Sequence, residues 1–292
     1  MLKKILVPLD GSKLAESILA RVDRILYATD AVVTLIAVLP EVRAGSDAGP
    51  WRKAEREAEA YLAQLVSALE KKGARAVSQQ LYGDPAEKIL QAAEDGKSSL
   101  IAMSTHGRTG FARWVRGSVA ERVLREARCP LLLTNPLDLD NQLRSSSEGF
   151  RKILVPLDGS ARSAKILPLV KEFARFYDSG VTILCTIGNY PAAAVPQTMA
   201  VVYPDVLPTE SMIKEELEPY RREIVAAKIP VEVRVQFGLP SEDILKVAEQ
   251  EQSDLIAMTT HGRSGFSRWA FGSVAEQVIR HCRVPLLVSR AT

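Results

Sequence analysis

At 292 residues, with 47% hydrophobic and 25% charged residues, the chain has the length of two ordinary domains and the composition of a globular protein. A formal net charge of +3 is too small to argue for a nucleic-acid partner, and the basic residues alternate with acids, as in Arg52 to Glu59. No run of about 18 apolar residues marks a membrane span.

Met1 to Ile5 leads straight into a strand without a leader's cleavage site, and Cys129, Cys185 and Cys282 have no paired spacing. A cytoplasmic protein with reduced thiols is therefore expected, without a disulfide framework, a zinc site or a membrane partner.

In chain order, Lys4 to Leu9 is a short apolar run closed by Asp10-Gly11-Ser12, a turn and helix N-cap signature. Leu14 to Tyr27 has helical spacing, with Leu14, Ile18, Val22 and Ile25 on one stripe. Val32 to Leu39 is a continuous apolar strand. Trp51 to Lys71 is a long charged helix whose buried stripe takes in Ala54, Ala58, Tyr61, Leu65 and Leu69, with Gly73 as its C-cap. A third strand, Ala74 to Tyr82, runs into Gly83-Asp84-Pro85, where glycine turns the chain and proline begins a helix over Ala86 to Glu94. Strand Ser99 to Met103, helix Gly117 to Glu126 and strand Pro130 to Thr134 complete the unit.

The same order returns from Lys152 to Ser289. Lys4 to Ser12 recurs letter for letter as Lys152 to Ser160, 148 positions later. Leu100 to Ser118 returns as Leu255 to Ser273, 155 positions later, with 14 of 19 residues identical. Strand cores drift among Val, Ile and Leu without penalty, so agreement in Gly, His, Arg, Asp and Ser points to a polar site carried twice. The change of offset places seven extra residues in the second copy, within a stretch that includes Asn189 to Pro208 and its four prolines. A loop of that length is usually functional, interfacial or mobile. The polar segment Asn135 to Gly149 reads as a linker, dividing the chain into a domain over 1–136, a linker over 137–150 and a domain over 151–292.

Near-continuous apolar strands separated by amphipathic helices imply an α/β fold, two tandem doubly wound domains whose parallel sheets are covered by helices on both faces. Right-handed crossovers then put the loops at the strand carboxyl ends, where such sheets bind ligands. After the fourth strand come Ser104-Thr105-His106-Gly107, nine residues, and Gly117-Ser118. Gly107 permits close backbone approach, the amides of a helix beginning at Gly117-Ser118 attract anions, and Arg108 adds a fixed positive charge. These are the parts of a polyphosphate cradle. The second copy has Thr259-Thr260-His261-Gly262, Arg263 and Gly272-Ser273 at the same spacing. Asp10 and Asp158 end the first strands. Each carboxylate suits a ribose hydroxyl or a metal, or merely belongs to the helix cap.

This arrangement resembles the universal stress protein family, in particular its tandem-domain members, over nearly the whole chain. The family's pattern of Gly-x-x-Gly, nine residues and Gly-Ser or Gly-Thr is matched by Gly107 with Gly117-Ser118 and by Gly262 with Gly272-Ser273. Its strand-one aspartate is matched by Asp10 and Asp158, and its Gly-x-Pro turn by Gly83 to Pro85 and Gly238 to Pro240. Its first glycine is replaced by Ser104 in one copy and Thr259 in the other.

The resemblance implies five-stranded parallel sheets of order 3-2-1-4-5 that bind ATP, with Mg, at their carboxyl ends. In the first copy it assigns nucleotide contacts to Pro8, Asp10, Gly11, Ser12, Val38, Ser104, His106, Gly107, Arg108, Gly110, Gly117, Ser118 and Val119. In the second it assigns them to Pro156, Asp158, Gly159, Ser160, Thr186, Ile187, Thr259, His261, Gly262, Arg263, Gly265, Gly272, Ser273 and Val274. Adenine would lie near Val38 and near Thr186-Ile187. The resemblance also implies that the last strands, Pro130 to Thr134 and Pro285 to Ser289, pair as an internal pseudo-dimer, and that the protein is a homodimer.

No residue is assigned a catalytic or metal-ligating role. His106 and His261 read as structural before they read as bases, His281 as a surface residue, and Trp114 and Trp269 as packing before stacking. Arg113 and Arg268 recur, for structure or for phosphate, whereas Arg116 becomes Phe271, which points to two sites of different affinity. The chain lacks a P-loop, a dinucleotide-binding glycine fingerprint and a nucleophile elbow. Three functions stay in play: a nucleotide-dependent regulatory module of the stress response, a slow ATPase or self-phosphorylating enzyme in the same pocket, and a ligand-free dimerising scaffold.

Overall fold

A computed structural model of the chain describes residues 2–41, 48–105, 118–134, 150–188, 208–260 and 272–290. The chain divides into two compact units, one of Met1–Gly149 with Arg283–Arg290, the other of Phe150–Cys282 with Ala291–Thr292. Outside the described residues lie most of the expected linker, nearly all of the proline-rich stretch of the second copy, and both loops between the glycines.

The first unit runs β1 (Lys4–Pro8), α1 (Lys13–Glu16), α2 (Leu19–Ala28), β2 (Val32–Leu39), α3 (Ala48–Lys71), β3 (Arg75–Tyr82), α4 (Pro85–Asp95), β4 (Leu100–Ser104), α5 (Ser118–Glu126) and β5 (Leu131–Thr134). Its strands are ordered β3-β2-β1-β4-β5, every pair parallel. Ile5, Leu6 and Val7 are buried in succession, as are Leu100 to Met103. Successive strand side chains point to opposite faces, so unbroken burial means that both faces of the central strands are covered. Half of the edge strand β3 is exposed, Val77 included.

One further strand belongs to this unit. Beyond β5 lies β10 (Leu286–Ser289), antiparallel to it, with Leu286 opposite Leu133 and Val288 opposite Leu131. The pairing of last strands implied by the resemblance is present, with all six of its paired residues buried leucine or valine.

The second unit contains β6 (Lys152–Pro156), a 3-10 turn over Ser163–Ile166, α6 (Leu167–Tyr177), β7 (Gly180–Gly188), α7 (Glu210–Ala226), β8 (Val231–Gly238), α8 (Pro240–Gln250), β9 (Leu255–Thr259) and α9 (Ser273–His281). Its parallel strands follow β9-β6-β7-β8. The registers repeat those of the first unit: Lys152 faces Gly180 as Lys4 faces Val32, and Val181 faces Val231 as Val33 faces Ala76. The doubly wound α/β class read from the strand and helix pattern is the fold observed.

Two local expectations need correction. The helix over Leu14 to Tyr27 is two helices, because the Ser17 hydroxyl donates to the Leu14 carbonyl at 2.7 Å and ends the first after one turn. Ile18, Val22 and Ile25 are buried as expected, joined by Arg21. In α3, Ala54 is exposed, and the deepest residues are Leu62 and Leu69, seven positions apart. This helix packs on the edge strand β3 and on β2 and is buried mainly in its second half, so its stripe is narrower than the spacing suggested.

Gly73 does end α3. Its amide donates to the Glu70 carbonyl and that of Ala74 to the Leu69 carbonyl, with Gly73 at φ +85°, the paired bonds of a left-handed C-terminal cap. The second copy builds the same cap with Lys228 at φ 62°.

Candidate functional site

At the carboxyl ends of β6, β7 and β9 the second unit holds a cavity of about 610 Å³. Its walls come from Pro156, Leu157 and Asp158 after β6, from Leu184 to Gly188 at the end of β7, and from Met258, Thr259 and Thr260 at the end of β9. Gly272 to Ala275, the start of α9, form one side, and Leu239, Pro240 and Ile244 of α8 another. Helix α7 contributes Ile213 and Glu216.

The first unit has a cavity at the corresponding place, lined among others by Pro8, Leu9, Asp10, Val38, Met103, Ser104, Thr105 and Ala120. Its volume is about 110 Å³. Sites for small molecules usually enclose roughly 300–1,000 Å³, a range that includes the second cavity and not the first. The two copies thus share residues but not space.

The aspartate turns have the same plan in both units. Asp10 Oδ1 accepts from the Ser12 amide at 3.0 Å, and Ser12 caps α1 by accepting from the Ala15 amide at 3.0 Å. Asp158 Oδ1 accepts from the Ser160 amide at 3.0 Å and from its hydroxyl at 2.6 Å. Gly11 and Gly159 both stand at φ 79°, which glycine adopts without strain. Both aspartates brace their turns, and both also line their cavities. In the second unit the Tyr220 hydroxyl of α7 donates to the Gly159 carbonyl at 3.2 Å and steadies the turn from outside.

Helix α9 begins at Gly272, which provides no side-chain cap. The Gly272 amide donates back to the Thr260 carbonyl at 2.9 Å, so the first turn of α9 is tied to the end of β9. The next amides, at a helix N-terminus without a side-chain acceptor, border the cavity and carry the positive end of the helix dipole. Such an end receives an anion.

Asp243 of α8 stands beside Gly238, at the end of β8. A Cβ on Gly238 would lie 2.6 Å from its Oδ2, and burial holds its carboxyl above the usual aspartate range. Away from the site, burial likewise pushes the Cys129 thiol up, and Cys185 and Cys282 are buried. His281 is exposed, as expected.

Of the sequence-predicted residues, the second cavity brings together Pro156, Asp158, Thr186, Ile187, Thr259, Gly272, Ser273 and Val274, and the first brings together Pro8, Asp10, Val38 and Ser104. Gly11, Ser12, Gly159 and Ser160 lie in the turns but not on the cavity walls, and Ser118 and Val119 open α5 without lining the first cavity, where Ala120 does. His106, Gly107, Arg108, Gly110, Gly117, His261, Gly262, Arg263 and Gly265 lie outside the described residues, as do Arg113, Trp114, Arg116, Arg268, Trp269 and Phe271. Missed from sequence were Ile213 and Glu216, and the pair Ile89 and Ile244, which recurs at the 155-residue offset and was legible in that recurrence.

A family model described as Universal stress protein family matches residues 1–135 and again 149–290. A universal stress protein of Methanocaldococcus jannaschii is 34% identical over 151 residues, covering 51% of this chain and 88% of its own. A second from the same organism is 28% identical over 152 residues, covering 48% of this chain and 94% of its own. Among solved structures, a universal stress protein from Archaeoglobus fulgidus DSM 4304 superposes with a TM-score of 0.76 at 22% identity and covers 100% of both chains, a likeness of fold.

Proposed function

The chain belongs to the universal stress protein family, and we propose that it acts there as a nucleotide-dependent regulatory module whose ligand is ATP with Mg. The observation that carries this reading is the uncapped start of α9, opening onto a cavity of about 610 Å³ at the strand carboxyl ends. The groups present suit a nucleotide. Helix amides favour phosphate, Asp158 offers an acceptor to a ribose hydroxyl, and the apolar walls from Leu184, Ile187 and Ile244 suit a base. Gly262, Arg263 and their counterparts Gly107 and Arg108 would complete the phosphate cradle.

In this reading nucleotide occupancy, not turnover, is the signal. The two domains extend over 1–136 and 151–292, and the protein works as a cytoplasmic homodimer. No helix among the described residues is long and apolar enough to cross a membrane. The test is to denature the purified protein and identify what is released by mass spectrometry, then to titrate stripped protein with MgATP by calorimetry. Released adenine nucleotide and a saturable isotherm are expected. Neither nucleotide nor heat of binding would leave a ligand-free scaffold, and ADP accumulating from bound ATP over hours would favour the ATPase.

A further inference from the structure

The turn that presents Asp158 is held from two directions. From within, the Ser163 hydroxyl donates to the Ser160 carbonyl at 2.9 Å, and the Ser160 hydroxyl donates to Asp158 Oδ1 at 2.6 Å. From outside, the Tyr220 hydroxyl of α7 reaches the Gly159 carbonyl at 3.2 Å. The first copy has neither the Ser163 nor the Tyr220 hydroxyl: Ala15 and Leu65 stand at those positions. Ile213 and Glu216 of α7 line the cavity, and their spacing puts them on one helix face with Tyr220. Pro219 lies inside the same helix, next to Tyr220. Proline has no amide to give, so the backbone hydrogen-bond ladder of α7 is interrupted where the tyrosine takes hold of the turn.

We propose that Tyr220 is a positioning residue that couples the ligand site of the second repeat to α7. A ligand held by Asp158 fixes the turn, and the turn, through Gly159 and Tyr220, fixes the helix beyond Pro219. This rests on the nucleotide reading above and deepens it by naming the element that registers occupancy. Such coupling is reciprocal. Tyr220 orders the turn and favours the ligand, and the ligand in turn stiffens α7. The first repeat, with Leu65 in place of the tyrosine, lacks this route.

The experiment is amide hydrogen exchange of the stripped full-length protein, with and without saturating MgATP, for wild type and Tyr220→Phe, with calorimetric affinities alongside. In wild type, MgATP is expected to slow exchange at the first turn of α9 and at Arg221 to Ala226, the part of α7 that follows Tyr220 and does not line the cavity. Tyr220→Phe keeps the ring and removes the hydroxyl. At saturation it is expected to lose the protection of Arg221 to Ala226 while α9 stays protected, and its MgATP affinity falls about fivefold. A merely structural hydroxyl would lower the melting temperature and leave both readouts unmoved. Wild type that binds MgATP without slowing exchange at Arg221 to Ala226 overturns the coupling, whatever the variant does, and the nucleotide reading stands. Protection or affinity unchanged in Tyr220→Phe overturns it too. Wild type that binds no MgATP overturns both.

Discussion

The Gly272 amide and the Thr260 carbonyl, 2.9 Å apart, fasten the N-terminus of α9 to the carboxyl end of β9. One hydrogen bond thereby sets the position of the next amides, which carry no side-chain cap and face the cavity. Other helices also start without a side-chain cap, among them α2, α6 and α8; the first turn of α9 differs in lining the cavity beside Asp158.

Ser273→Asp should therefore act in opposite directions on stability and binding. Ser273 is exposed at the first position of α9, so a carboxylate there fits and interacts favourably with the helix dipole, by roughly 0.3–1 kcal/mol. The same charge repels phosphate. Thermal melts should show the empty variant equal to or above wild type, while MgATP affinity falls about tenfold or more. A variant that binds ATP as tightly as wild type would mean that phosphate does not rest on α9.

Lys228→Gly should stabilise the protein. Lys228 holds φ 62° in the cap that ends α7, where the first copy has Gly73 at φ +85°. A left-handed lysine costs about 1 kcal/mol more than glycine. The expected rise in melting temperature is about 2–4 °C for a domain of this size. The reverse substitution, Gly73→Lys, should lower it by a similar amount, and a rise there would contradict the assignment.

Asp243→Asn should help at neutral pH and lose its advantage in acid. The folded protein holds this carboxyl above its ordinary value of 3.8, chiefly through burial, with Lys246 opposing and Glu242 reinforcing. The folded state therefore keeps the proton longer than the unfolded chain does, and stability falls as pH rises above 3.8 toward the folded value. Asparagine removes the charge that burial penalises, so the variant should be the more stable of the two at pH 7. Melts at pH 4 and pH 7 check the sign: the difference between variant and wild type should shrink toward pH 4. A difference that grows in acid would contradict it.

Much of the fold was legible because it was written twice. The strand runs Lys4 to Leu9 and Lys152 to Leu157 announce a buried parallel sheet, and the recurrence of Asp10-Gly11-Ser12 marks both turns. The ends of β4 and β9 were legible for the same reason. The break after α1 was not, since Ser17 fits the apolar stripe's spacing and only its hydrogen bond to Leu14 reveals the stop. The difference in cavity size was hidden as well. Pro8, Asp10 and Ser104 match Pro156, Asp158 and Thr259 closely, and volume depends on the helices that stand over them. Glu216 lies at the position of Tyr61, and nothing in that exchange, read along the chain, says that one of them faces a cavity.

The pairing of β5 with β10 has a consequence in time. Leu131–Thr134 leaves the ribosome a whole repeat before Leu286–Ser289, yet both complete one sheet. Through that interval the outer edge of β5 displays unpaired backbone groups, the feature by which nascent sheets adhere to wrong partners. The first half of the chain thus matures last, sealed by the strand made after everything else in the sheet.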